Sequence, residues 1–320
     1  MQKVKQIVSE ILAKQEINTV YFVGCGGSLS GFFPAKYFLT CEAKKLKVGY
    51  INANEFVHAT PKEVGKDTVV ILASQRGNTP ETVKAAAVAN EIGAATVGLT
   101  FEVPSPLSET AQYVIHYEFG PDSIVENQKV SYGFKLALEI LNEVEGYEKY
   151  DEMVAAHTKL NDIVVQARKD VVPDAIKWAW EFKDDSVIYT MGSGACWGPA
   201  HQEAICIFME MQWINASVIH SGEFFHGPFE ITDKNTAFLM MKSSGHTRAL
   251  DDRALNFIQK FNNRIFVLDA SAYGINELGD VAEYLEPMFY NNVIRVFNEL
   301  LADARKHPLS TRRYMWKFPY

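Results

Sequence analysis

VYFVGCGGS, residues 20–28, is answered by VIYTMGSGA, residues 187–195, and VVILASQRGNT, residues 69–79, by AFLMMKSSGHT, residues 237–247. In each pair an apolar run ends in a turn rich in Gly or Ser, and both pairs are separated by nearly the same offset. A repeat with so long a period is a duplicated domain rather than a solenoid unit. The runs read as buried strands. Turns at their ends, before helices, are where α/β proteins hold anionic ligands.

Working outward, the first half predicts strands at 19–23, 48–53, 68–73, 95–101 and 113–117, with helices at 30–44 and 79–92. Thr79 is placed to cap the second helix, Pro80 to occupy its first position, Glu81 its first turn, and Gly93 to stop it. The second half repeats the order, with strands at 186–190, 217–219, 237–241 and 265–268 and helices at 201–213 and 288–304. Short apolar runs alternating with helices indicate a parallel sheet covered on both faces. The fold class is therefore α/β: two tandem domains, each a doubly wound, flavodoxin-like parallel sheet flanked by helices. The first domain is expected over residues 1–150, a helical bridge over 151–182, the second domain over 183–306, and a tail over 307–320. Four aromatic residues in the tail, Tyr314, Trp316, Phe318 and Tyr320, predict that it docks near the active site. Docking would carry Arg313 or Lys317 into a cleft.

The 320 residues suffice for two domains with sizeable cores, and the net charge of −8 argues against nucleic acid or a membrane surface as the main partner. No apolar run reaches the length of about 20 residues that a membrane span needs. Residues 1–16 lack the apolar stretch of a signal peptide. Cys25, Cys41, Cys196 and Cys206 have no metal-ligand spacing and read as buried thiols in a reducing cytoplasm. The Gly24-x-Gly26 turn meets Leu29 where a dinucleotide fingerprint has its third glycine, and the Gly192-x-Gly194 turn meets Trp197. Asn52 and Asn54 stand where an acidic residue would hold the ribose. There is no ATP-binding GxxxxGK[ST] either. No cofactor and no metal are expected.

Three groups of residues carry candidate chemistry. Gly26, Gly27 and Ser28 form one turn; Ser74, Gln75, Arg76, Asn78 and Thr79 form another. Their backbone N–H groups and hydroxyls suit a phosphate, although such residues also serve as plain turn and cap formers. Glu203 and Glu210 lie seven apart, hence on one face of an α-helix. A carboxylate on that apolar face is either a satisfied buried group or a base of tuned pKa. Glu223, His226 and Glu230 cluster in the stretch HSGEFFHGPFE, where the histidine is either structural or catalytic.

Together these residues resemble the SIS (sugar isomerase) family, in the two-domain branch of glucosamine-6-phosphate synthase. SQRGNT is similar to the family's SxSGxT phosphosugar motif, and GEFFHGPFE to its GExxHGP motif. The resemblance implies that Glu210, at the family's spacing ahead of the motif histidine, is the acid/base and that His226 assists ring opening. It also implies that a lysine near the C-terminus, Lys317, reaches the site. Because the histidine is often supplied by a neighbouring subunit, a homodimer or larger homo-oligomer with shared active sites is expected. Ile207 replaces the synthase's site lysine, Arg76 replaces a small hydroxyl residue, and no glutaminase domain is seen. These departures, with MEMQWINASVIH and HPLSTRRYMWK, resemble the fructosamine (fructoselysine) 6-phosphate deglycases.

The implied reaction converts a fructosamine 6-phosphate and water to glucose 6-phosphate and a free amino acid. Other amino-sugar phosphates, such as glucoselysine 6-phosphate, remain open as substrates, as do deaminase and aldose–ketose isomerase activities. A non-catalytic phosphosugar sensor is disfavoured, since a sensor has no use for Glu210 and His226 and the first strand already begins by Thr19.

Overall fold

The computed structural model describes residues 1–262 and 264–318. It divides into two compact units, Met1–Thr158 and Lys159–Tyr320, with the division inside the helix Tyr150–Asp170.

The first unit holds five parallel strands: β1 (Thr19–Gly24), β2 (Lys47–Asn52), β3 (Thr68–Ala73), β4 (Ala95–Thr100) and β5 (Tyr113–His116). Their order is β2-β1-β3-β4-β5, the doubly wound order of flavodoxin. β1, β3 and β4 are buried along their whole length, as continuous apolar runs require when both faces are covered. Edge strand β2 keeps Lys47 exposed and its other residues half-buried. Gly24 pairs with Asn52 on one side and Ala73 on the other. The turns that leave β1 and β3 therefore start side by side, at the switch point where chain order reverses. The helix Pro80–Ile92 packs Ala85, Ala86 and Ala89 into the core and ends at Gly93, whose φ of +91° suits glycine.

The second unit repeats this with four parallel strands: β6 (Val187–Gly192), β7 (Asn215–His220), β8 (Phe238–Lys242) and β9 (Ile265–Asp269), ordered β7-β6-β8-β9. Gly192 pairs with His220, and Met191 with Met240. The loops leaving β6, β7 and β8 thus also begin in one row. Gly26 and Gly194, at equivalent positions of the two copies, have φ of +52° and +53°, so the copies share the conformation of their first turn.

Of the four cysteines only Cys196 and Cys206 are buried. Cys41 is exposed, because the helix Phe33–Glu42 turns Pro34, Ala35, Phe38 and Leu39 inward instead. Among the described residues no helix is long and apolar enough to cross a membrane.

Candidate active site

Gly26 enters the four-residue helix Gly27–Ser30 with a positive φ, and a side chain built on it would meet nothing within 4 Å. Gly26 is exposed; Gly27 and Ser28 are half-buried. Lys129, at the start of the helix Lys129–Glu145, donates from Nζ to the Gly27 carbonyl oxygen at 2.9 Å. That lysine was not singled out from sequence, because it lies 102 residues from Gly27.

The second turn is closed by its own hydroxyls. Ser74 Oγ and Thr79 Oγ1 are 2.9 Å apart, and the Thr79 N–H donates to Ser74 Oγ at 3.3 Å. Thr79 starts the helix as expected, but its hydroxyl turns to Ser74 instead of capping. Gln75 is fixed from two sides: its Oε1 accepts from Tyr117 Oη at 2.7 Å and its carbonyl from the Phe101 N–H at 3.1 Å. Gly77 has φ +64°, and a Cβ there would come within 2.0 Å of Ser105 Oγ. Glycine is therefore demanded by both conformation and space. Arg76 meets Glu102 at 3.8 Å with both side chains about half exposed. A pair so exposed contributes little, at most about 1 kcal/mol, so an anion can replace Glu102 cheaply. Asn78 is exposed at the tip.

In the second unit Glu203–Gln212 is a π-helix that continues the α-helix Trp197–Gln202 and stops at Trp213, with φ +55°. Its i→i+5 bonding makes each turn wider than the about 3.6 residues of an α-helix. The expectation that Glu203 and Glu210 share a face fails for that reason. Glu203 is sealed in the core at 2% exposure, where its Oε2 accepts from Asn298 Nδ2 at 3.1 Å. Burial pushes its carboxyl up to about 8, against a small opposing effect of Asn298. Glu203 Oε1 and Asn298 Oδ1 are both buried acceptors without partners.

Glu210 is half-buried, and its Oε1 lies 2.8 Å from Arg312 Nη2. Burial raises its pKa, and the guanidinium works in the opposite direction. Arg312 is itself 9% exposed and donates from Nη1 to the carbonyls of Leu309 and Thr311 at 2.9 and 2.8 Å. Lys317 Nζ donates to the Arg312 carbonyl at 2.5 Å. Arg313 lies over the Trp213 ring at 4.2 Å, and His307 meets the same ring edge-on at 4.6 Å. The tail thus returns to the end of the π-helix, though not as its aromatics predicted. Tyr314, Trp316 and Phe318 are all more than 60% exposed, and Tyr320 lies outside the described residues. The buried anchor is Arg312: its two terminal nitrogens meet a carboxylate and two carbonyls, which offsets much of the cost of leaving water, although Nε has no partner.

Phe224 is fully buried among Phe225, Phe229 and Phe257, which pins the loop after β7 at both ends. Glu223, just before these anchors, and His226, between Phe225 and Phe229, stand exposed, with Gly227 at φ +125° behind the histidine. The His226 N–H donates to the Glu223 carbonyl at 2.9 Å. Among the described residues no hydrogen bond or ion pair joins His226 or Glu223 to Glu210.

A family model described as "SIS domain" matches residues 11–144. The fructosamine deglycase FrlB of Bacillus subtilis is 41% identical over 97% of this chain and 94% of its own length. A fructoselysine 6-phosphate deglycase of Escherichia coli is 29% identical over 83% of this chain and 77% of its own. A crystal structure of a Salmonella typhimurium protein proposed as a phosphosugar isomerase superposes with a TM-score of 0.98 at 54% identity. It covers 100% of this chain, which in turn covers 96% of it.

Proposed function

The chain belongs to the SIS domain family, and from that premise we propose that it is a deglycase acting on a fructosamine 6-phosphate such as fructoselysine 6-phosphate. With water it releases glucose 6-phosphate and the free amino acid. The single observation that carries this reading is the near full-length likeness to a fructosamine deglycase. The ion-paired glutamate of the π-helix supports it, as does a pair of turns suited to phosphate.

In this reading the phosphate sits on the first unit's turns. Gly26, Gly27, Ser28, Gln75 and Asn78 present amides or side-chain donors. Ser74 and Thr79 shape the second turn, and Arg76 exchanges Glu102 for the anion. His226 moves a proton between ring oxygen and water to open the sugar. Glu210 removes a proton from carbon 1, giving an enaminol, and delivers one to carbon 2. The carbon–nitrogen bond is then a Schiff base, which water cleaves to aldehyde and amine. With a pKa raised by burial and drawn back by Arg312, Glu210 is suited to accept and return that proton. Arg313 and Lys317, on the tail that carries Arg312, and Glu223, on the loop after β7, are assigned to the amino-acid end of the substrate. Glu203, sealed in the core, is assigned to holding the helix.

His226 is exposed, and among the described residues its imidazole has no partner, which supports its use by a second copy in a homodimer. Glu210→Gln keeps the shape of the site and removes the base. It should lower kcat by about 10²–10⁴-fold while leaving glucose 6-phosphate binding unchanged. A variant with the wild-type rate would overturn the assignment.

A further inference from the structure

In the second unit the two turns equivalent to the proposed phosphate site are already filled. With Gly194 aligned on Gly26, Ser28 corresponds to Cys196, Gln75 to Ser243, Arg76 to Ser244, Gly77 to Gly245 and Asn78 to His246. Cys196 Sγ, on the first turn, donates to Glu286 Oε2 at 3.0 Å. The Ser244 N–H, on the second, donates to Glu286 Oε1 at 2.7 Å. One carboxylate thus spans both turns.

Its neighbours occupy further donors of the second turn. The Ser243 N–H donates to Asp251 Oδ2 at 2.8 Å, and the His246 N–H to Glu283 Oε2 at 3.0 Å. The Gly245 N–H turns to Ser243 Oγ at 3.1 Å. A Cβ on Gly245 would come within 2.1 Å of Glu283 Oε2, so glycine is what admits that carboxylate. Asp251 and Glu286 are fully buried and Glu283 is 7% exposed. Buried carboxylates are costly unless bonded, and buried amides are costly without acceptors; here the Ser243, Ser244 and His246 amides each meet a carboxylate oxygen, while Asp251 Oδ1 and Thr247 Oγ1 are left without partners.

The first unit reverses the charge. The helix that meets its first turn opens with Lys129 on the Gly27 carbonyl, whereas the corresponding helix Ala282–Arg305 brings Glu283 and Glu286. Val83 stands where Asp251 would be.

We infer that the second copy is an anion site permanently closed by the chain's own Glu286, Glu283 and Asp251, so that each chain offers one phosphosugar-binding pair of turns rather than two. Closure of the second pair stands on the contacts above; the count of one rests also on the proposed function of the first. The occupants act as fixed internal counterparts of a phosphate and hold the turns and the helix Ala282–Arg305 together.

The test is equilibrium dialysis of the full chain against radiolabelled inorganic phosphate, with melting temperature read in parallel. The wild type should bind no more than one phosphate per chain. The double variant Glu283→Ala, Glu286→Ala should melt lower without phosphate, bind one further phosphate, and recover more of its melting temperature on adding phosphate than the wild type gains. Should the double variant not fold, Glu283→Ala alone should show the same phosphate-dependent recovery. Two phosphates on the wild type would overturn the inference. So would a folded variant that binds no more than wild type. Adding Ser74→Ala and Thr79→Val separates the two claims: these should remove the wild-type equivalent and leave the new one.

Discussion

At the scale of single residues, Arg312 decides how Glu210 behaves. An opposite charge at this distance lowers a carboxyl pKa by about 1–3 units. Removing it leaves burial unopposed, so Glu210 would hold its proton to higher pH. A base that must be ionised then works only at higher pH. Arg312→Met is expected to move the acidic limb of the kcat/KM profile upward by about 1 unit or more, and Arg312→Lys to restore part of it. An unmoved limb in a folded Arg312→Met variant would remove Arg312 from the mechanism. Sequence placed two arginines side by side in a tail and offered no means of telling which one is buried. The aromatic residues beside them drew the docking expectation to themselves, although three of the four are exposed. The role proposed for Glu210, by contrast, comes from its spacing to the GExxHGP motif, a chemical signature that depends on no helix geometry.

At the scale of elements, the π-helix separates the two glutamates that an α-helix would have aligned. Nothing in EAICIFMEMQ distinguishes i→i+4 from i→i+5 bonding, because both leave the run apolar and buried; the register is set by what packs against it. The consequence is that Glu203 sits in the core, where burial favours its protonated form. Its folded pKa of about 8 lies above the ordinary 4.5. Its contribution to stability is therefore complete below the ordinary value and is lost as pH rises through the folded one. Glu203→Gln has no proton to lose and keeps an oxygen to accept from Asn298 Nδ2. The difference in melting temperature between variant and wild type should move in the variant's favour between pH 5 and pH 9, as followed by thermal unfolding across that range. A difference independent of pH would mean that Glu203 is ionised throughout. Glu286, pushed up to about 7 by burial, adds to the wild-type decline over the same window.

At the scale of the whole molecule, the strands were the most legible part. Buried parallel strands are written as unbroken apolar runs, and these stand out in β1, β3, β4, β6 and β8 whatever surrounds them. Duplication was legible for the same reason. The divergence of the two copies was not: Glu283 and Glu286 lie far along the chain from the amides they serve, and only the folded chain brings them there. Duplication with loss of one site is a simple route to a chain that keeps the stability of a doubled fold and a single specificity.

The most direct measurement is incubation of the purified protein with fructoselysine 6-phosphate. Glucose 6-phosphate would be read by a coupled dehydrogenase and free lysine by mass spectrometry. The account predicts that both appear in equal amounts, each matching the substrate consumed. Binding of the phosphosugar without release of either product, or release of ammonia in place of lysine, would contradict it.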